Sequence, residues 1–196
     1  MITTTQQKVS VIDNAMPKQV VDRWIDYYET QARFSIGSAE IDESHSELAQ
    51  NYWFWMNIDL KMRTQLFEIQ NWLVPHVIDY EPRCTIKDHS RSYMNLCTQG
   101  DPVKGHVDVA ACPPGGFYVV ALVFMNPYVT DPADSGFHIG DQYYENHFNR
   151  MIIFDGRAWH KSQIPTDNLV RLTMYNSFCQ PRRVMNYTQV RSQWRK

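Results

Sequence analysis

The chain has 196 residues, of which 43% are hydrophobic, 13% aromatic and 20% charged. That length suits one domain with a buried core, and the composition excludes a disordered or collagen-like chain. Nineteen Lys and Arg against twenty-one Asp and Glu leave a formal charge of −2. This balance argues against nucleic acid as a partner, because such affinity grows with the number of phosphates neutralised.

Residues Met1 to Asn14 show neither the basic region nor the apolar run of a secretory signal. No run reaches the roughly 18 apolar residues of a membrane span, so no membrane partner is expected. Cys84, Cys97, Cys112 and Cys179 form no CxxC pair, which gives no zinc-ribbon or thioredoxin signal. Free thiols in a reducing, cytoplasmic setting are therefore expected.

Pro17 followed by Val20, Val21, Trp24, Tyr27 and Tyr28 predicts an amphipathic helix with proline in its first turn. Ser44 to Glu47 has the S-x-x-E form of a capping box and predicts a second helix over 48–58, through the aromatic run Tyr52 to Trp55. Ile58, Met62, Leu66, Ile69 and Leu73 predict a third helix, ending at Pro75.

Beyond residue 84 short apolar runs alternate with Gly, Pro, Asn and Asp. Tyr93 to Cys97, His106 to Ala111, Phe117 to Met125, Met151 to Phe154, Ala158 to Ile164 and Leu169 to Phe178 read as strands. Roughly seven strands at hairpin-like spacing predict an antiparallel sandwich or barrel, with helices packed outside it. The expected class is mostly β with N-terminal helices. The expected organisation is a single domain over 1–196: a mainly helical segment over 1–80, a β core over 81–180 and a tail over 181–196.

The informative segment is Gly105-His106-Val107-Asp108. Alternate strand residues point to one side, so the His106 imidazole and the Asp108 carboxylate can converge. They supply two-thirds of the 2-His-1-carboxylate triad that holds Fe(II) on one face and leaves positions open. His160, on a later predicted strand, offers the third ligand. By itself such a pair is more often an ordinary hydrogen-bonded couple than a metal site. Arg171 and Thr173 change that weighting, because on the next strand they share a face and could together meet one carboxylate.

The order His106-x-Asp108, His160, Arg171-x-Thr173, over about residues 85–180, resembles the Fe(II)- and 2-oxoglutarate-dependent oxygenases. Within them it is most similar to the prolyl-4-hydroxylase-like branch, which commonly carries Lys where Arg171 stands. The resemblance implies a double-stranded β-helix (jelly-roll, cupin-like) core with His106, Asp108 and His160 as iron ligands. It implies that Arg171, helped by Thr173, grips the distal carboxylate of 2-oxoglutarate. Tyr93, or Asn95 on the same strand face, is the implied further contact. The implied activity is hydroxylation of an unactivated C–H bond in a small molecule or peptidyl side chain, consuming O2 and 2-oxoglutarate and releasing succinate and CO2. The carboxylate at Asp108 points to hydroxylation rather than halogenation, since the related halogenases lack it. Three alternatives stay open: a cupin-like metal enzyme without 2-oxoglutarate, a metal-free jelly-roll binding protein, and a nucleic-acid demethylase, the last disfavoured by the charge balance.

Trp159 alternates to the strand face opposite His160 and is assigned to packing. His138 and His147 lie in a polar stretch, Gly136 to Asn149, and read as surface histidines rather than members of a loop over the metal. His45, His76 and His89 have no paired spacing. Tyr143-Tyr144 and Trp53 to Trp55 read as core or interface, and the tail bearing Arg182, Arg183, Arg191, Arg195 and Lys196 as solvated. Ile36 to Glu47 and Asp131 to Asn149 are the segments polar enough to be lids. Oligomeric state is not legible.

Overall fold

A computed structural model describes residues 8–30, 35–38, 53–56, 60–98, 105–108, 115–166 and 170–180. The described residues form strands β1 (Val9–Ile12), β2 (Ser35–Ser38), β3 (Trp53–Met56), β4 (His89–Cys97), β5 (Phe117–Phe124), β6 (Phe137–Ile139), β7 (Gln142–Tyr144), β8 (Met151–Asp155), β9 (His160–Ser162) and β10 (Arg171–Gln180). Among the described residues two α-helices accompany them, α1 (Lys18–Thr30) and α2 (Leu60–Tyr80), with one 3-10 turn over Ile86–Asp88.

Helix α1 follows the predicted pattern. The N–H groups of Val20 and Val21 both donate to the Pro17 carbonyl, at 2.9 and 3.1 Å. Val20, Val21, Trp24 and Tyr27 form its buried stripe, and Trp24 Nε1 donates to the Met125 carbonyl at 3.0 Å. This bond lets the largest core side chain bury its one polar atom.

The second predicted helix is corrected. Trp53–Met56 is strand β3, paired antiparallel with β2 and, through Trp55↔Leu96 and Met56↔Asn95, with β4. Consecutive large residues carry no 3.6-residue period, and aromatic side chains fit a pleated surface. The capping-box residues Ser44 to Glu47 lie outside the described residues.

The third predicted helix is corrected at its end: α2 runs through Pro75 to Tyr80. A mid-helix proline costs about 3 kcal/mol. Its ring lies on the exposed side, while Leu73, Val74 and Val77 are buried. At about 1.5–3 kcal/mol for each buried side chain, their burial exceeds the penalty.

The β region is two antiparallel sheets. The larger has the order β1-β8-β5-β10-β4-β3-β2 and the smaller β7-β6-β9. Between them lie Tyr118, Val120, Leu122 and Phe124 of β5, Ile152 and Phe154 of β8, and Phe137 and Ile139 of β6. The opposite face of the large sheet, with Val119, Ala121, Val123 and Ile153, packs against Val20, Trp24, Leu73 and Val77. Strand β5 is thus buried on both faces, which is why it reads as one continuous apolar run. Two facing antiparallel sheets with helices outside make this a mostly β, double-stranded β-helix architecture.

Three further expectations change in detail. The run His106 to Ala111 is not a full strand within its described stretch, residues 105–108. His106 instead makes an isolated antiparallel bridge to His160. The stretch Gly136 to Asn149 is no simple loop, because it contains the β6–β7 hairpin, turned at Gly140 with φ 56°. Ile36 to Ser38 belongs to strand β2, and residues 39–47 lie outside the described residues. Cys84, Cys97 and Cys179 are buried and form no disulfide among the described residues; Cys112 lies outside the described residues. Among those residues no helix is long and apolar enough to cross a membrane.

Candidate metal centre

The bridge that joins residues 105–108 to β9 is reciprocal. His106 N donates to the His160 carbonyl at 2.9 Å, and His160 N to the His106 carbonyl at 2.8 Å. Directly paired residues on antiparallel segments project to one face, and the two imidazole centroids lie 4.4 Å apart. Asp108, two residues on, is held by its own N–H donating to the Gly156 carbonyl at 2.8 Å.

Asp108 Oδ1 lies 3.6 Å from His106 Nε2 and 3.8 Å from His160 Nε2. All three potential ligand atoms fall within 4.8 Å of one another. Metal–ligand bonds of about 2.0–2.2 Å put neighbouring ligands about 3 Å apart, so the trio would draw inward by up to about 2 Å to meet one ion. His160 Nδ1 lies 2.8 Å from the Ala158 carbonyl. A carbonyl only accepts, so Nδ1 carries the proton and Nε2 turns its lone pair toward Asp108.

The electrostatics suit this donor set. Burial lowers the pKa of His160, against the opposing charge of Asp108. Burial pushes Asp108 up, but the neighbouring His106 and His160 imidazoles and the hydrogen bond from Tyr175 hold its carboxyl below the ordinary value. A neutral imidazole and an ionised carboxylate are the protonation states a metal requires. The site opens on one side: the His106 side chain is 51% exposed, that of His160 4%.

Two further residues reach the trio and were not singled out from sequence. The Tyr175 hydroxyl donates to Asp108 Oδ2 at 2.7 Å, and Tyr118 Oη lies 2.9 Å from Tyr175 Oη. The available signal is that Tyr175 continues the Arg171, Thr173 alternation along one face of β10.

The β10–β4 register pairs Arg171 with Cys97, Thr173 with Asn95 and Tyr175 with Tyr93. Arg171 is 1% exposed, its guanidinium carbon 5.9 and 5.7 Å from the ring centroids of Phe124 and Phe137. Its Nη1 donates to Cys97 Sγ at 3.8 Å. Arg171 Nε and Nη2, Thr173 Oγ1 and Asn95 Oδ1 are buried without a hydrogen-bond partner among the described residues. Each such group costs about 1–3 kcal/mol, and buried arginines are normally paired. Two guanidinium N–H groups and a hydroxyl on one strand face are what a single carboxylate would satisfy. The side chain of Tyr93 lies outside the described residues, whereas Asn95 brings an unsatisfied oxygen to this face.

Of the other marked residues, Trp159 is 46% exposed. Its indole covers Gly105, where a Cβ would overlap the ring, so it packs on one side only. His147 pairs with Glu145 at 2.9 Å, and His138 packs on Tyr143 with centroids 4.7 Å apart; neither belongs to the trio. His89 packs edge-on against Phe178 at 5.3 Å. His45 and the basic tail residues lie outside the described residues.

No family model matches the chain, and no curated protein matches it in sequence. Solved structures do share its fold. The non-heme α-ketoglutarate-dependent epimerase SnoN from nogalamycin biosynthesis superposes with a TM-score of 0.62 at 8% identity, over 88% of this chain and 78% of its own. A Pseudomonas putida prolyl-4-hydroxylase gives 0.58 at 13% identity, over 91% and 95%. HygX from Streptomyces hygroscopicus, solved with nickel, 2-oxoglutarate and hygromycin B, gives 0.58 at 12%, over 88% and 82%. The fold is that of the Fe(II)/2-oxoglutarate-dependent oxygenases and of their prolyl-4-hydroxylase-like branch.

Proposed function

We propose that the protein is an Fe(II)- and 2-oxoglutarate-dependent dioxygenase, acting as a single domain. It hydroxylates an unactivated C–H bond of a small molecule or peptidyl side chain, as prolyl hydroxylases do, and releases succinate and CO2. The observation that supports this best is a coincidence on one fold. A His–Asp–His trio stands in the same molecule as a fully buried guanidinium whose Nε and Nη2 lack partners among the described residues. The trio alone would suit a cupin-like metal enzyme. The buried cation additionally calls for an anion, and 2-oxoglutarate carries two.

In this reading His106, Asp108 and His160 hold Fe(II), with one carboxylate charge against two on the metal. Arg171 and Thr173 take the distal carboxylate of 2-oxoglutarate, with Asn95 or Tyr93 beside it. When bound, the ferrous ion and 2-oxoglutarate supply the reduction of O2 that oxidises the C–H bond. The protein's own contribution is orientation and exclusion. The Ala158 carbonyl fixes the His160 tautomer, and Phe124 and Phe137 keep water from the guanidinium. The half-exposed His106 marks the side from which substrate approaches. SnoN belongs to nogalamycin biosynthesis, HygX was solved with hygromycin B, and the Pseudomonas putida protein is a prolyl-4-hydroxylase. These neighbours support a small-molecule or peptide acceptor. A reducing, cytoplasmic setting belongs to the same reading.

The test is metal and succinate stoichiometry. Anaerobic loading is expected to give about one Fe(II) per chain, lost in His106→Ala and Asp108→Ala; stoichiometric iron in both variants refutes the ligand assignment. Arg171→Ala is expected to raise the 2-oxoglutarate requirement more than tenfold, as loss of charge-assisted bonds worth about 1.5–3 kcal/mol implies. Unchanged saturation removes the cosubstrate role.

A further inference from the structure

The two oxygens of Asp108 have different surroundings. Oδ1 faces both imidazoles, at 3.6 Å from His106 Nε2 and 3.8 Å from His160 Nε2. Oδ2 accepts the Tyr175 hydroxyl at 2.7 Å, and Tyr175 Oη lies 2.9 Å from Tyr118 Oη. Both tyrosines are buried. An ionised carboxylate only accepts, so the single Tyr175 proton is committed to Asp108. The Tyr118 hydroxyl must therefore donate to the Tyr175 oxygen, and the chain runs in one direction, Tyr118 to Tyr175 to Asp108.

The backbone makes this arrangement deliberate rather than a chance contact. The β10–β5 register sets Tyr175 opposite Leu122 and Cys179 opposite Tyr118, which places both phenols on the face between the sheets. Gly156 clamps the two ends together: its carbonyl accepts Asp108 N at 2.8 Å, and its N–H donates to the Tyr118 carbonyl at 3.0 Å. The Tyr118 ring also lies over Gly156, where a Cβ would overlap Cδ1 and Cε1 of that ring. Gly156 thus anchors the metal-facing segment and the base of the hydroxyl chain at one residue.

We propose that Tyr175, backed by Tyr118, is a positioning residue that restricts Asp108 to one metal-directed oxygen. A carboxylate with two free oxygens can close on a cation with both and occupy an extra coordination position. With Oδ2 engaged by a short charge-assisted hydrogen bond, only Oδ1 is presented. The number of positions left for cosubstrate and O2 then follows from a hydroxyl that touches neither. The inference rests on the metal-site reading above and deepens it.

The experiment is titration of the metal-free full-length chain with Co(II) alone, followed by calorimetry and by visible absorption, whose ligand-field bands report coordination number. Tyr175→Phe keeps the ring and removes only the donor. It is expected to weaken Co(II) binding about 10–100-fold, the range seen when a partner of a metal ligand is lost, and to change the visible spectrum. Tyr118→Phe is expected to shift both in the same direction by less, and to add nothing on the Tyr175→Phe background, because it acts through Tyr175. A merely structural role would lower the melting temperature of the metal-free chain and leave the spectrum alone. Unchanged or tighter affinity, or an unchanged spectrum, in Tyr175→Phe overturns the proposal, as does a full additive effect of Tyr118→Phe. Where Tyr175→Phe does not fold, an unchanged spectrum in Tyr118→Phe overturns it equally. If the unsubstituted chain binds no Co(II), the metal-site reading itself falls; binding by that chain with an indifferent Tyr175→Phe removes only the positioning role.

Discussion

Arg171 is a buried cation with no carboxylate partner among the described residues, and this has a measurable sign. Its desolvation costs several kcal/mol. The two aromatic rings at 5.7 and 5.9 Å return about 0.5–2 kcal/mol each, and the Cys97 contact at 3.8 Å adds little. Burial accordingly lowers the Arg171 pKa, although a guanidinium stays charged in proteins. Arg171→Met keeps a long side chain against Phe124 and Phe137 while removing the charge and the orphan N–H groups. Replacing buried charge by an apolar group of similar volume is neutral or stabilising by about 1–4 kcal/mol. At about 2–4 °C per kcal/mol, the ligand-free variant should melt up to roughly 16 °C above the unsubstituted chain. Divalent metal with 2-oxoglutarate at about a thousand times Kd should reverse the order, because binding there adds about 4.1 kcal/mol to the chain that keeps its arginine. Calorimetric melting of both chains, with and without the two ligands, measures the crossover. Ligand-free Arg171→Met melting well below the unsubstituted chain would refute the reasoning.

Pro75→Ala should stabilise the protein, since it restores an N–H to an exposed position inside α2 and removes a penalty of up to about 3 kcal/mol. A melting temperature that is unchanged or lower would show that the surrounding helix has adapted to the proline. Cys84 should resist alkylation in the native state, because burial, with the charges of Asp88 and Glu81, pushes its thiol up to about 12. Rapid native labelling at pH 8 would contradict this. The unfolded thiol titrates near its ordinary value of 9.0, so the unfolded chain loses its proton first. The contribution to stability is complete below pH 9 and is lost as pH rises toward 12, and Cys84→Ala should flatten that stretch of an alkaline denaturation profile.

The shared faces of His106 with Asp108 and of Arg171 with Thr173 were legible because strand alternation is local: residues two apart share a face whatever the sheet order. His160, by contrast, meets the first pair only through its bridge to His106. Tyr175 and Tyr118 were not legible, although Tyr175 lies only two residues beyond Thr173. Their link to Asp108 depends on the β10–β5 register and on Gly156, which no short segment encodes. The same division separates the helices. The stripe of α1 is a local pattern, whereas β3 takes its form from pairing with β4, and α2 passes Pro75 because Val77 has a core to enter. The hairpin at Gly140 reads as a polar loop for the same reason, since its partner strand is β9.

The reciprocal bonds between His106 and His160 are the described pairing that fastens residues 105–108 to the small sheet. A cation held between those imidazoles would rivet that seam. Occupancy of the centre and closure of the sheet margin then become one equilibrium, so the backbone amides of His106 and His160 are themselves gauges of metal content, exchanging more slowly with solvent as the protein fills.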